Sequence, residues 1–159
     1  MTLAAWIFLA MSAWVPPGET DAARYQEIAQ DIADVAIEAP LYEGSDGKAK
    51  TALLMAAVAS FESFYRKDVD SLKVKGDNGA ALCLMQVHPR KGEDLSDRKN
   101  CLRIALLRMH ESFTRCANLP LSYRLSGYTR GSCAEDKSSA YRMYRATRFW
   151  KEHPFTGVD

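Results

Sequence analysis

The stretch that decides the fold is Lys48-Ala-Lys-Thr-Ala-Leu-Leu-Met-Ala-Ala-Val-Ala-Ser-Phe-Glu-Ser-Phe-Tyr65. Leu53, Leu54, Ala57, Val58, Phe61, Phe64 and Tyr65 recur at helical spacing, and Ala56 and Ala59 allow close packing. A segment that is apolar nearly all round its helix belongs at the centre of a core rather than on a surface. Ser45 and Asp46 stand ahead of it as capping residues.

Outward from that helix, the chain reads as further helices joined by polar loops. Upstream, Glu19-Thr-Asp21 is a helix-start signal, and Ala23, Ile28, Ile32, Val35 and Ala36 place an amphipathic helix over about 21–38. Pro40 and Glu43-Gly-Ser-Asp-Gly47 form a loop. Downstream, the polar run from Arg66 to Asn78 leads to an apolar piece, Ala80 to Val87, stopped by Pro89. Asn100 to about Phe113, a short piece from Leu121 to Tyr128, and Ser138 to Trp150 read as helical. Tyr141, Tyr144 and Phe149 lie on the last of these. Alternating strands are absent, so the fold class is mainly α.

The first residues form a separate problem. Leu3–Val15 is almost wholly apolar, no Lys or Arg precedes Arg24, and Pro16-Pro17-Gly18 ends any helix there. About 13 apolar residues match a signal-peptide core and are too short to span a bilayer. Ala10-Met11-Ser12 would serve as a cleavage site, but the positive leader is missing. The alternatives are a signal or anchor, with transient membrane contact through residues 3–15, and a helix docked on the domain. The expected division is therefore residues 1–18 as an apolar segment and 19–159 as one domain. The first segment is expected to matter for delivery or docking and not for catalysis.

Composition bounds the function. The 159 residues are 47 % hydrophobic and 26 % charged, which excludes a disordered chain. Lys and Arg number 21 against 20 Asp and Glu, a net charge of +1. That balance argues against a dedicated nucleic-acid binder. No C-x-x-C, Gly-x-x-x-x-Gly-Lys or dinucleotide fingerprint occurs, so zinc, nucleotide and other cofactor sites have no support. Four cysteines, Cys83, Cys101, Cys116 and Cys133, allow two disulfides in three pairings, or four buried thiols.

One acid is out of place. Glu62 stands late in the most apolar helix, between Phe61 and Phe64. Lost solvation raises a carboxyl pKa, as a proton-donating acid requires. The plainer reading is a helix-edge Glu paired with Arg66 or Lys67. Glu62-Ser63 is followed by Gly76-Asp-Asn-Gly-Ala-Ala-Leu-Cys-Leu-Met-Gln-Val-His-Pro89, then Asn100 before a helix, then Tyr128-Thr-Arg-Gly131.

This order resembles the lytic transglycosylase and goose-type lysozyme group, which cleaves peptidoglycan glycan strands. Those proteins carry Glu-Ser, Gly-Leu-Met-Gln, an Asn before a helix, and a Tyr-Asn-x-Gly turn. The resemblance covers about residues 50–150. It departs at Cys83, where the family has glycine, and at Thr129, where it has Asn. It implies a lysozyme-like helical domain with an extended groove and Glu62 as general acid. Ser63 would hold the sugar or the attacking group. Met85 and Gln86 would line the groove, Gln86 bonding an N-acetyl group. Tyr128 would orient Glu62. Core packing for Met85 and a surface turn for Tyr128 are the competing readings.

The resemblance also frames the choice of reaction. A hydrolytic glycosidase usually needs two carboxylates. A lytic transglycosylase needs one acid: the substrate's N-acetyl group supports the oxocarbenium and its 6-hydroxyl closes a 1,6-anhydro ring. Asp77 matches a goose-type acid, although an Asx turn explains it equally, and His88 stands where the second such acid would be. The single-acid route is preferred. Hydrolysis with Asp77 as base, and a non-catalytic glycan-binding or virion or secretion component, are the alternatives. The expected partner is a peptidoglycan strand, with no nucleic acid, and the expected state is a monomer. Pairing Cys83 with Cys101 and Cys116 with Cys133 would clamp the loops on either side of such a site. That would imply the periplasm or the extracellular space, reached by export or by delivery from a phage particle or secretion machine.

Overall fold

The computed structural model describes residues 1–15 and 21–157. The Pro16-Pro17-Gly18 break and the Glu19-Thr20 part of the helix-start signal lie outside them. Seven α-helices follow in order: α1 Leu3–Trp14, α2 Ala22–Glu38, α3 Gly47–Glu62, α4 Lys67–Asp70, α5 Arg98–Arg115, α6 Ser126–Thr129 and α7 Lys137–Glu152. Two 3₁₀ turns, Asp77–Gly79 and Leu121–Tyr123, complete the set, and no strand occurs among the described residues. The fold is mainly α.

α3 is the hub. Every residue from Ala49 to Ser60 except Lys50 is buried. Its buried hydroxyls are satisfied locally: Thr51 Oγ1 donates to the Gly47 carbonyl and accepts from the Leu41 amide, and Ser60 donates to the Ala57 carbonyl. Gly47 starts the helix because a Cβ there would lie 2.0 Å from the Tyr42 carbonyl oxygen.

The periodicity carries α3 to Tyr65, yet it stops at Glu62. The Ser63 hydroxyl takes the Ala59 carbonyl and the Tyr65 amide, and Phe64 and Tyr65 turn left-handed at φ 51° and 54°. That turn sends the Tyr65 ring back into the core, where its hydroxyl donates to the Ala56 carbonyl. Phe64 is thrown outward and is half exposed.

α1 packs on α2 and α3. Leu3, Trp6, Ile7, Ala10 and Met11, one helical face, are buried, the last four completely. Trp6 meets the rings of Phe149, Trp150 and Phe155, and its Nε1 donates to the His153 carbonyl at 2.9 Å. One face of this apolar segment, read as a signal, an anchor or a docked helix, is buried in the core cluster. No helix of the described residues is long and apolar enough to cross a membrane.

Two disulfides close the loops, Cys83–Cys101 and Cys116–Cys133, with sequence separations of 18 and 17. Both are compatible with an oxidising location. Cys83 has φ +61°, a conformation costing an L residue about 1–2 kcal/mol relative to glycine. Its bond to α5 gives a side chain a reason to occupy that position. A Cys83→Ser/Cys101→Ser variant should lose about 3 kcal/mol in denaturant titration. Cys83→Gly/Cys101→Ser should recover about 1 kcal/mol of it. Equal stability of the two double variants would show that the backbone relaxes without help from glycine.

Candidate active site

A cleft of about 640 Å³ opens between the end of α3, the loop 76–88, α5 and the α6 turn. Glu62, Asp77, Gln86, His88 and Tyr128 all line it. Five of the residues singled out in the sequence thus meet in one place, across up to 66 residues of chain.

Glu62 is partly buried, with 18 % of its side chain exposed. Burial raises its pKa above the ordinary carboxyl range, and the opposing pull of Arg142 only partly offsets this. Its ion pair is not with Arg66 or Lys67. Arg66 is taken by Asp68, and Glu62 accepts from Arg142 of α7 at 2.8 Å. Nor does Phe64 desolvate it, since that ring faces solvent.

Arg142 is the residue that the sequence reading passed over. Its signal was present: Ser139, Met143, Ala146 and Phe149 form the buried face of α7, and Arg142 sits in the middle of it. A cation on a core face needs an acid opposite, and Glu62 is the one acid of the central helix α3.

The loop 76–88 is a compact knot of turns. Two isolated antiparallel bridges, Gly76 with Ala81 and Leu82 with Val87, hold it. Gln86, itself at φ +48°, donates from Nε2 to the Cys83 carbonyl at 3.0 Å. Its Oε1 lies 2.0 Å from where a Cβ on Gly76 would stand, so a side chain at 76 would displace the end of Gln86.

Ser63 and Met85 do not take the roles expected of them. Ser63 is 4 % exposed, and its hydroxyl is engaged in ending α3, so it does not face a sugar. Met85 is fully buried in the core and supplies only its carbonyl to the wall. Tyr128 donates to that carbonyl at 2.6 Å rather than to Glu62. Burial, and next the negative charge of Glu62, raise the Tyr128 pKa well above its usual value, so the hydroxyl keeps its proton. Tyr128 thus braces the wall near the acid. Thr129 donates to Asp136, which also caps α7.

Asp77 is exposed at the cleft mouth and pairs with His88 at 2.8 Å. Arg90 and Arg108 bring their own acids, Glu111 and Glu93. Burial raises the pKa of Glu62, whereas the hydrogen bond from Arg90 holds that of Glu111, in the same cleft, below its ordinary value. No group of three or more His, Cys, Asp or Glu among the described residues is placed to hold a metal ion. Compared with known protein families, with curated proteins and with solved structures, the chain finds no match.

Proposed function

We propose that this chain cleaves the β-1,4 bond between N-acetylmuramic acid and N-acetylglucosamine in peptidoglycan, as a lytic transglycosylase with Glu62 as its acid. The observation that carries the reading is Glu62 itself: a carboxyl with a raised pKa, at the end of a buried helix, opening on a cleft large enough for sugar rings.

Protonated Glu62 gives its proton to the glycosidic oxygen as the bond to C1 breaks. The developing positive charge on the ring is supported by the substrate's own N-acetyl group. The 6-hydroxyl then attacks C1, and its proton returns to the Glu62 carboxylate, restoring the acid and leaving a 1,6-anhydro ring. Arg142 stabilises the carboxylate during the interval when it has lost its proton. Tyr128 and Gln86 shape the wall along which the strand lies.

Asp77 supports a second reading, hydrolysis, because its exposed carboxylate lines the same cleft and has an oxygen besides the one paired with His88 to take a proton from a water. The masses of muropeptides released from purified peptidoglycan separate the two. Anhydro ends are expected; reducing ends would transfer the assignment to hydrolysis with Asp77 as base. Since the substrate lies outside the cytoplasm, the protein would work in the periplasm or beyond the cell, where both disulfides persist.

A further inference from the structure

A second cavity, of about 610 Å³, abuts the same helix end. Consecutive residues face the two spaces: Glu62 lines the cleft and Phe61 lines the second cavity. Arg142 joins them, paired to Glu62 and stacked 5.0 Å from the Phe61 ring centre. Trp14 of α1 and Tyr141, Tyr144 and Arg145 of α7 supply other walls, and Glu152 lines the cavity with its charge paired to Arg148 at 2.8 Å.

Two things about this cavity are unexplained by folding. Tyr141 and Tyr144 are 57 % and 63 % exposed, so the core makes little use of either ring. Arg145 lies between Phe61 and Trp14, its guanidinium carbon 4.0 and 5.8 Å from their ring centres, and donates to Ser60 at 2.7 Å. It has no carboxylate within 4.0 Å among the described residues, although its neighbour Arg148 pairs with Glu152. Burial lowers its pKa, Tyr65 partly opposes this, and Arg142 adds to it. A partly desolvated cation without a counter-ion favours an incoming anion. Exposed aromatic faces beside it suit the apolar face of a pyranose ring.

We propose that this cavity binds an acidic sugar of the strand being cut, its ring against Tyr141 and Tyr144 and its carboxylate on Arg145. This rests on reading Glu62 as a strand-cleaving acid, and it gives the cleaved strand a second point of recognition beyond the scissile bond. The carboxylate is that of a muramic lactyl group or of its stem peptide. It would also give α1, through Trp14, a part in binding.

The test uses the full chain carrying Glu62→Gln, which binds without cutting. A peptidoglycan tetrasaccharide with muramic acid is titrated against tetra-N-acetylchitotetraose, its neutral counterpart, by calorimetry. The acidic strand is expected to bind about tenfold tighter, a difference of about 1.4 kcal/mol. Arg145→Gln should abolish that preference, and Arg145→Lys should retain part of it. Tyr141→Ala/Tyr144→Ala should weaken binding about tenfold with no change in melting temperature. Free N-acetylmuramic acid and N-acetylmuramoyl dipeptide, titrated separately, tell which carboxylate Arg145 holds. Equal affinity for the acidic and neutral strands, or tyrosine variants that bind like the parent, would overturn the proposal. Binding that depends on Arg145 in a chain that cuts no strand would leave the cavity assigned and end the cleavage reading. Cleavage with no such dependence would do the reverse.

Discussion

Glu62→Gln is expected to lower glycan-strand cleavage by about 10²–10⁴-fold while leaving the protein folded. The loss follows from chemistry, because an amide has no proton to give to the glycosidic oxygen. Retention of the fold follows from packing: Gln has the same shape and its amide oxygen still accepts from Arg142. Muropeptide release measured alongside thermal melting checks both halves. A Glu62→Gln chain that still cuts peptidoglycan would end the assignment.

The same residue sets two pH dependences. Cleavage should fall as pH rises through the raised pKa of Glu62, since the protonated form is the donor. Stability should move in the same direction. The folded pKa lies above the unfolded one, so the stabilising contribution is full below the unfolded value and is lost as pH rises through the folded value. The Gln variant never ionises. Its melting temperature should therefore gain on that of the parent chain as pH rises from below the ordinary carboxyl range through the raised pKa of Glu62. A constant gap would mean that Arg142 cancels the desolvation of the carboxylate completely.

The helices were legible because α2, α3, α5 and α7 each carry an apolar period over 16 to 18 residues. The last turn of α3 was not. Whether Phe64 or Tyr65 stays in the helix depends on a hydroxyl reaching the Ala56 carbonyl, a contact that periodicity does not encode. The site shows the same division. Glu62, Asp77, Gln86 and Tyr128, singled out in the sequence, line one cleft. Motif membership did not tell which way a side chain faces. Met85 belongs to the motif and is buried behind the wall, while Gln86, one residue on, faces the cleft. The partner of Glu62 was hidden for a different reason: Arg142 lies 80 residues away, and its place on the buried face of α7 does not say which acid it meets.

Trp6→Ala should cost about 3–5 kcal/mol, the range for deleting a large buried aromatic side chain. Trp6 has no exposed surface, and its ring packs against Phe149, Trp150 and Phe155. Its indole N–H holds the His153 carbonyl just beyond the end of α7. Truncation to alanine therefore leaves a cavity and an unpaired acceptor together, and the two costs add. Against a total stability of about 5–15 kcal/mol, this is enough to bring the chain near its unfolding threshold. The effect should reach the candidate site, because α7 carries both Arg142 and Arg145 and is braced at its far end by α1. Urea titration of Trp6→Ala, with Leu9→Ala on the exposed side of α1 as the control, reads the result. A loss confined to Trp6→Ala would identify α1 as part of the folding core. Equal and small losses for both would mean that α1 is dispensable to the fold, and its hydrophobicity would need another explanation.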